Sequence, residues 1–357
     1  MKRLQSLVIG IVAIIVILFL GVKQLEHATG MAGAQVVNIY NWGDYIDPEL
    51  ITKFEKETGY KVNYETFDSN EAMFTKIQQG GTAYDITIPS EYMIQKMMKE
   101  NLLMKLDHSK IKGLENIHDD FLDLSFDPGN HYSIPYFWGT LGIVYNDKFI
   151  DEGAITSWND LWDKKYRGTL MVIDGAREVM GIGLQSFGHS LNSKDDAQLQ
   201  EAFEYLKGLT PNIKAIVADE IKMYMANEES SLAITFSGEA ADMMYENEHL
   251  HYVIPKEGSN LWFDNIVIPK TAKNVEGAYA FINFMLDPEN AAQNAEYIGY
   301  STPNQKAEAL LPKEISGDTQ FYPTDDMLEN MEVYEDLGPE YLGIYNDLFL
   351  ELKMYRR

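Results

Sequence analysis

The chain has 357 residues, of which 45% are hydrophobic and 12% aromatic, so it can form packed cores and intrinsic disorder is disfavoured. Its 55 acidic residues outnumber 29 basic ones, and the resulting net charge of −26 disfavours nucleic acid as a partner while attracting diffusible cations. Cysteine is absent, which excludes disulfides, thiolate metal sites, cysteine nucleophiles and a lipid-modified N-terminal cysteine.

The N-terminal segment differs from the rest of the chain. Lys2 and Arg3 precede an uncharged apolar run at residues 7–22, a pattern typical of export signals. Counted from Leu4, the run approaches the roughly 20 residues that span a bilayer, which favours an uncleaved anchor. Small residues ending at Ala34 indicate cleavage as the alternative. The remaining chain is predicted to be extracytoplasmic, either held at the outer face of the cell membrane or exported after cleavage.

Short apolar runs and helical patterns then alternate along the chain. Strands are predicted at residues 36–40 (VVNIY), 61–66 (KVNYET) and 85–89 (DITIP), with helices beginning at Pro48 and at residues 70–79 and 91–99. Asp47 and Pro48 mark a helix start, because aspartate caps helices and proline suits the first helical position. The alternating order predicts a doubly wound α/β domain with a mostly parallel sheet.

A second α/β run begins after Tyr136. Its predicted strands are 169–174, 215–217, 232–236 and 265–269, and its predicted helices are 177–188, 196–208, 239–247 and 275–286, the last restarting at Asp287. Internal repeats, low-complexity tracts and Gly/Ser linkers are absent from the sequence. Two α/β lobes without a flexible tether predict a rigid pair separated by a cleft.

The usual sequence signatures of catalysis, cofactors and metals are missing. Gly181, Gly183 and Gly188 lack the spacing of a dinucleotide fingerprint, and neither a phosphate-binding loop nor a G-x-S-x-G motif occurs. Among seven histidines only His249 and His251 are close together, and no H-E-x-x-H motif exists. We therefore expect a protein that is not an enzyme, with no catalytic residue, metal or cofactor.

Aromatic side chains instead accompany carboxylates and hydroxyls at the ends of predicted strands. These residues are Trp42 and Tyr45, Ser90 and Tyr92, Glu178, and Trp262 with Asp264. Ligands of open α/β sheets bind beyond the carboxyl ends of strands, so these residues are expected to converge. Carboxylates pair with ammonium groups, while aromatic faces hold methylenes and add about 0.5–2 kcal/mol each through cation–π attraction. The residues alone predict an exported cation-binding module.

The same positions resemble the extracytoplasmic solute-binding proteins of ABC polyamine transporters, the spermidine/putrescine-binding family. The resemblance runs from about Val36 to the C-terminus. The shared motifs are YNWGDY (40–45), IPSEYM (88–93), FDPGN (126–130), YSIPYFWG (132–139), SWNDLW (157–162), AREV (176–179), LWFDN (261–265), INF (282–284) and IGYSTPN (298–304). The resemblance implies a two-lobed periplasmic-binding-protein-like (type II) fold with two crossing hinge segments and a ligand cleft between the lobes.

The family's ligand contacts carry over to named positions of this chain. Its aromatic box falls on Trp42, Tyr45, Tyr92, Trp262 and Tyr300, its amine-pairing carboxylates on Glu178 and Asp264, and a hydroxyl contact on Ser90. Three positions depart from the pattern: Phe236 replaces a tryptophan, Tyr334 replaces a glutamine, and Gly175 replaces a carboxylate. Asp174, next to Gly175, and Gly43 of the first motif are further candidates. These departures leave open which polyamine is preferred.

Three explanations for Gly175 remain open from the sequence. Loss of the carboxylate narrows discrimination between spermidine and putrescine, or Asp174 or Glu239 compensates for it, or the backbone needs glycine, for instance with positive φ. Under the first explanation, replacing Gly175 by aspartate raises spermidine affinity more than putrescine affinity.

The resemblance also implies a function and a division of the chain. The expected protein is a monomeric receptor that captures spermidine, putrescine or both and delivers the polyamine to the membrane permease of an ABC importer. The expected segments are 1–34 (signal or anchor), 35–139 with 263–308 (lobe 1), and 140–262 with 309–357 (lobe 2). The alternatives are a receptor for another small cationic solute on the same fold, such as thiamine, and an exported enzyme. An iron receptor is disfavoured because no ligand cluster is evident.

Overall fold

The computed structural model describes residues 35–218 and 220–355, and all structural statements refer to these ranges. The strands are β1 (Val36–Trp42), β2 (Lys61–Phe67), β3 (Ile86–Thr87), β4 (Ser133–Asn146), β5 (Leu170–Ile173), β6 (Ile213–Val217), β7 (Leu232–Phe236), β8 (Leu250–Val253) and β9 (Leu261–Val267). The helices up to β9 are α1 (Pro48–Thr58), α2 (Asn70–Gln79), α3 (Glu91–Lys99), α4 (Ala176–Gln185), α5 (Asp196–Lys207), α6 (Glu220–Ala226) and α7 (Ser237–Glu246). Those after it are α8 (Val275–Met285), α9 (Pro288–Ile298), α10 (Gln305–Glu308), α11 (Lys313–Ser316), α12 (Asp325–Leu328) and α13 (Gly338–Tyr355).

The strands form one mixed sheet in the order β2-β1-β3-β9-β4-β7-β5-β6, with β8 also paired to β4. β1 runs parallel to β2 and β3, and β5 runs parallel to β6 and β7. The three strands predicted for the first domain are therefore parallel as expected, whereas β9 and β4 add antiparallel pairs at the centre of the sheet. The long strand β4 pairs antiparallel with β9 over its first half and with β7 and β8 over its second half.

The crossing strand β9 begins earlier than predicted. The sequence pattern indicates a strand at residues 265–269, whereas the ladder with β4 already starts at Leu261 opposite Thr140. Trp262 and Asp264 therefore lie within a hydrogen-bonded strand rather than in a connecting segment. Because the two residues are two positions apart in a strand, their side chains point to the same face of the sheet.

Helix α1 shows how closely local sequence signals set the element boundaries. Asp47 caps its N-terminus by accepting the backbone N–H of Glu49 at 2.8 Å, and Pro48 occupies the first turn as predicted. Gly59 ends the helix in the left-handed conformation with φ 77°. Between these ends, Leu50 and Phe54 are fully buried, and each such side chain contributes about 1.5–3 kcal/mol by burial.

Buried apolar side chains form two large clusters and a smaller third one. The first cluster combines residues 37–138 with residues 262–311. The second combines residues 141–234 with residues 337–352, so α13 covers it. The chain thus builds each large core from two stretches that are distant in sequence.

The predicted N-terminal segment, residues 1–34 with its apolar run, lies outside the described residues. Within residues 35–218 and 220–355, no helix combines the length and apolar character that crossing a bilayer requires.

Candidate ligand-binding site

Asp264 is a buried carboxylate held by two hydroxyl groups. Its side chain is 6% exposed. Tyr45 donates its hydroxyl to Oδ2 at 2.6 Å, and Ser90 donates to Oδ1 at 2.6 Å. Burial raises the pKa of Asp264 to about 6, although both hydrogen bonds favour the charged form. The carboxylate is therefore mostly ionised at neutral pH, and its two hydrogen-bond donors are uncharged hydroxyl groups.

Asn70 organises the hydroxyl groups beside this carboxylate. Its amide Nδ2 donates to Ser90 Oγ at 3.0 Å and to Tyr92 Oη at 3.1 Å. Its Oδ1 accepts the backbone N–H of Ser90 at 3.1 Å. Asn70 was not predicted from the sequence, because an asparagine in the first turn of a helix is ordinary. The structure therefore adds one residue to the network that orients Ser90 and Tyr92.

Four aromatic rings from distant parts of the chain line up next to Asp264. Tyr45 contacts Tyr300 edge-on with centroids 5.3 Å apart, Tyr300 contacts Trp262 at 5.3 Å, and Trp262 contacts Phe236 at 6.1 Å. Edge-to-face contact is a preferred arrangement of aromatic pairs. The side chain of Tyr300 also covers Gly238, where any Cβ would overlap the ring. The sequence prediction that these rings converge is consistent with this row.

Trp42, the remaining predicted tryptophan, contacts a ring outside this row. It ends β1 and contacts Phe67 with centroids 4.6 Å apart. Its indole Nε1 and that of Trp262 are buried, and neither has a hydrogen-bond partner among the described residues. Two buried indole N–H groups without a hydrogen-bond acceptor thus belong to predicted ligand contacts.

Glu178 lies near Tyr92 and Tyr334, although both are distant from it in sequence. Burial, followed by the charges of Glu71 and Glu178, raises the pKa of the Tyr92 hydroxyl. Burial, followed by the charge of Glu178, raises the pKa of the Tyr334 hydroxyl. Burial also raises the pKa of Glu178 itself. The second predicted carboxylate is therefore desolvated and acts electrostatically on both tyrosine hydroxyls.

Tyr334 is held by a residue that was not singled out from the sequence. The guanidinium of Arg177 stacks on its ring at 4.2 Å, and the Tyr334 hydroxyl is buried without a partner in the described chain. Arg177 donates to Asn192 Oδ1 at 2.8 Å, which fixes the guanidinium. The sequence signal that could have identified Arg177 is its position in the AREV motif, directly before Glu178.

Asp174, Glu239 and Gly43 are the remaining candidates. Both carboxylate oxygens of Asp174 accept from Lys353 of α13, at 2.8 and 2.9 Å, on the exposed surface. Glu239 is hydrogen-bonded by the Thr235 hydroxyl. Gly43 lies in an exposed loop, and apart from its two chain neighbours no residue comes within 4 Å of the position that a Cβ would occupy there. Compensation by Asp174 for the missing carboxylate thus requires breaking its ion pair with Lys353.

Gly175 caps α4 without positive φ. Its φ of −139° and ψ of 122° are extended, so the explanation that the backbone needs a left-handed residue is wrong. A Cβ at this position would overlap the Glu178 carboxylate and lie 2.8 Å from its carboxyl carbon. Glycine therefore leaves the space that the Glu178 carboxylate occupies at the start of the helix, where negative charge is favourable.

Replacing Gly175 by alanine is expected to weaken polyamine binding about tenfold, equivalent to about 1.4 kcal/mol. The new methyl group pushes the Glu178 carboxylate away from the helix N-terminus. Titration calorimetry with spermidine and putrescine measures the effect, with Gly43→Ala as control because its surroundings are open. Unchanged affinity in Gly175→Ala would show that the position of Glu178 is unimportant. Aspartate at 175 meets the same overlap, which offsets the gain expected from its added charge.

An α/β fold that gathers a buried carboxylate, hydroxyl groups and aromatic rings from several strand ends defines a solute-binding protein. The chain belongs to the family of bacterial extracellular solute-binding proteins, whose model matches residues 49–323. This class binds solutes without catalysis, and the expectation of a non-enzymatic protein is confirmed.

Within this family, the resemblance to spermidine/putrescine-binding proteins is confirmed. The chain is 39% identical to the spermidine/putrescine-binding periplasmic protein of Escherichia coli, over 92% of this chain and 96% of that protein. It is 33% identical to the putrescine-binding periplasmic protein SpuD of Pseudomonas aeruginosa, over 86% and 90%.

Solved structures share its α/β fold. A spermidine/putrescine ABC transporter substrate-binding protein from Streptococcus pneumoniae matches with a TM-score of 0.85 and 62% identity, over 90% of this chain and 100% of that one. A lipoprotein of Treponema pallidum matches with a TM-score of 0.81 and 30% identity, over 89% and 99%.

Proposed function

We propose that this chain is an extracytoplasmic receptor that captures spermidine or putrescine and delivers it, as a monomer, to the membrane permease of an ABC importer. The observation that carries the proposal is the buried Asp264 carboxylate, held by two hydroxyl groups beside a row of aromatic rings. An ammonium group forms a strong, charge-assisted hydrogen bond with such a carboxylate. The named relatives bind the same class of solute by their descriptions, which supports the proposal.

Each site residue has a proposed role in holding a linear cation. Asp264 and Glu178 pair with amines near the two ends, and Ser90 and Tyr334 contribute hydroxyl groups. The rings that pack along the methylenes are Trp42, Tyr45, Tyr92, Phe236, Trp262 and Tyr300. A carboxylate at each end of an aromatic channel selects for cations with two separated charges.

The test is to identify and then titrate the ligand. Mass spectrometry of small molecules released from purified, denatured protein is expected to detect a polyamine, and calorimetry is expected to show binding of spermidine and putrescine. 1,4-Butanediol, which has the methylenes of putrescine but no amines, serves as the control and is expected not to bind. Release of a different cation, with no polyamine binding, would favour the alternative receptor for another small cationic solute.

We further propose two lobes with a hinge between them, comprising residues 35–139 with 263–308 and residues 140–262 with 309–357. The two large core clusters support most of this division, because the first combines residues 37–138 with 262–311 and the second combines residues 141–234 with 337–352. The exception is the start of the segment 309–357, whose Leu311 belongs to the first core. The proposed crossings near Gly139 and Trp262 are neighbours in the β4–β9 ladder. Ligand contacts then come from both lobes, with Asp264 on the first and Glu178 on the second.

Spermidine is expected to compact the molecule in solution. A ligand that contacts both lobes stabilises the closed arrangement by its higher affinity for that state. Small-angle scattering at saturating spermidine is expected to give a smaller radius of gyration than the free protein. Asp264→Asn at the same spermidine concentration is the control. An unchanged radius in the wild-type protein at verified saturation would contradict closure.

Membrane attachment is the last part of the proposal. A relative from Treponema pallidum is a lipoprotein, whereas this chain has no cysteine to carry a lipid. We propose that residues 4–22 remain as a single span with Lys2 and Arg3 on the cytoplasmic side. N-terminal sequencing of the cell-associated protein is expected to find the intact segment, and a sequence starting at Gln35 would contradict the anchor.

A further inference from the structure

Glu91 is a carboxyl group completely buried next to the ligand site. It is the first residue of α3, between Ser90 and Tyr92, and its side chain has 0% exposure. Its Oε2 accepts the backbone N–H of Phe263 at 2.9 Å. A glutamate in the first turn of a helix is usually solvated, so its burial calls for a physical reason.

The reason lies in how α3 begins beside β9. The backbone N–H of Asn265 donates to the carbonyl of Pro89 at 3.0 Å, and Ser90 lies opposite Asp264 as an isolated antiparallel bridge. At Glu91 the chain turns into the helix, so its backbone can no longer offer an acceptor to β9. The Glu91 side chain replaces it and continues the pairing by one residue, to Phe263.

Phe263 lies between two proposed ligand contacts, Trp262 and Asp264. The Phe263 backbone also pairs with β4, where its partner in the β-ladder is Trp138. Without the Glu91 carboxyl, the Phe263 N–H would be buried and unsatisfied, and this stretch of β9 would lose its contact with α3.

We propose that Glu91 is a positioning residue of the ligand site, whose carboxyl group fixes residues 262–264 against the start of α3 and so holds the Asp264 carboxylate between Tyr45 and Ser90. The inference rests on the proposed function, in which Asp264 pairs with an amine of the ligand. Glu91 itself acts through the backbone of β9.

The charge state of Glu91 follows from its surroundings. Burial raises its pKa to about 8, opposed by the hydrogen bond from Phe263, so the group is mainly neutral at pH 7. The charged and titratable groups that interact with it are Asp264 on β9, Arg177 on α4, Tyr92 on α3 and Tyr334 before α13. A neutral acid accepts the Phe263 N–H without placing a second negative charge beside Asp264. A bound cation favours ionised Glu91, so polyamine affinity gains from rising pH through about 8.

Two substitutions at this position separate its acceptor role from its charge. Glu91→Gln keeps an acceptor for Phe263 and is expected to bind spermidine within about threefold of wild type at pH 7. Glu91→Ala removes the acceptor and is expected to bind at least about tenfold more weakly. Asp85→Asn is the matched control, because Asp85 is also fully buried and also accepts backbone N–H groups, from Lys273 and Asn274, outside the site. It is expected to lower the melting temperature without changing affinity.

The pH profile provides a readout that simple destabilisation does not alter. Between pH 7 and pH 9 the wild type is expected to gain up to about tenfold in affinity relative to Glu91→Gln, since both proteins share any titration of the ligand. Alanine binding within twofold of wild type, or glutamine binding as weakly as alanine, would overturn the inference. If Glu91→Ala does not fold, a loss of more than about tenfold in Glu91→Gln at pH 7 would overturn it, because glutamine keeps the acceptor for the Phe263 N–H.

Amide hydrogen exchange tests the role of Glu91 independently of the proposed function. Exchange at Phe263 in the ligand-free protein is expected to be at least tenfold faster in Glu91→Ala than in Glu91→Gln, whatever the solute is. If the wild type binds no polyamine, the proposed function fails while this difference still tests the positioning role. Equal exchange rates in the two variants would refute the role of Glu91 directly.

Discussion

Asp264→Asn is expected to weaken spermidine and putrescine binding by about 2–5 kcal/mol, the usual result of removing one partner of a buried charge pair. At 4 Å, a carboxylate and an ammonium attract by about 4 kcal/mol at an effective dielectric constant near 20, before desolvation is counted. Asparagine retains an oxygen that accepts from Tyr45 or Ser90, so the fold is expected to be preserved. Titration calorimetry on both polyamines measures the loss, and circular dichroism verifies the fold.

Asp174→Asn is the matched control for this substitution. It removes the same charge from the same acidic protein, but at an exposed residue that is paired with Lys353. Its polyamine affinity is expected to stay within about twofold of wild type. A loss as large in Asp174→Asn as in Asp264→Asn would attribute the effect to net charge, and wild-type affinity in Asp264→Asn would remove this residue from the site.

Polyamine affinity is expected to fall about tenfold for each pH unit below about 6. Burial raises the pKa of Asp264 to about 6 in the free protein, and a bound ammonium group favours the ionised form and lowers that pKa again. Binding therefore releases a proton when the pH is below about 6, and affinity rises with pH until Asp264 is ionised. Glu91 is expected to contribute a separate and smaller increase in polyamine affinity between pH 7 and pH 9.

Calorimetry from pH 7.5 to pH 4.5 in buffers of different ionisation enthalpy gives both the affinity and the number of protons released. Asp264→Asn is the reference, because it lacks the titrating group and is expected to show a flatter profile over the same range. Circular dichroism at each pH excludes unfolding. A wild-type profile that is flat down to pH 4.5 would show that Asp264 does not titrate in contact with the ligand.

The sequence was most informative where local signals determine the structure. Caps such as Asp47 and alternating runs such as residues 61–66 predicted the first half of the sheet and its helices to within a few residues. Strand β4 was missed because all fourteen of its residues are buried, so it shows no alternation between polar and apolar positions. Its pairing also depends on β7, β8 and β9, which follow it by many residues and leave no local pattern.

In the site, the sequence predicted several of the residue types but not their arrangement in space. Tyr45, Ser90 and Asp264 were chosen for their chemistry beside strand ends, and the structure joins their side chains by two hydrogen bonds. Asn70 and Glu91 escaped notice because a polar residue in the first turn of a helix is normally at the surface. Only the packing of α3 against β9, and of α2 against α3, buries them, and that packing is a tertiary property.

The path of the chain through its two cores has a consequence for biosynthesis. β3 cannot pair with β9 until Val267 has been made, and Tyr345 of α13 closes the second core through hydrogen bonds to the carbonyls of Leu191 and Ser193. Contacts between such distant segments slow folding. Until its partner strand has been made, a strand exposes unpaired backbone N–H and C=O groups, which can pair with other chains and cause aggregation. Both cores therefore stay incomplete until almost all of the polypeptide has emerged. We expect the chain to fold after translocation rather than during it, and to depend on factors that shield its unpaired strands in the meantime.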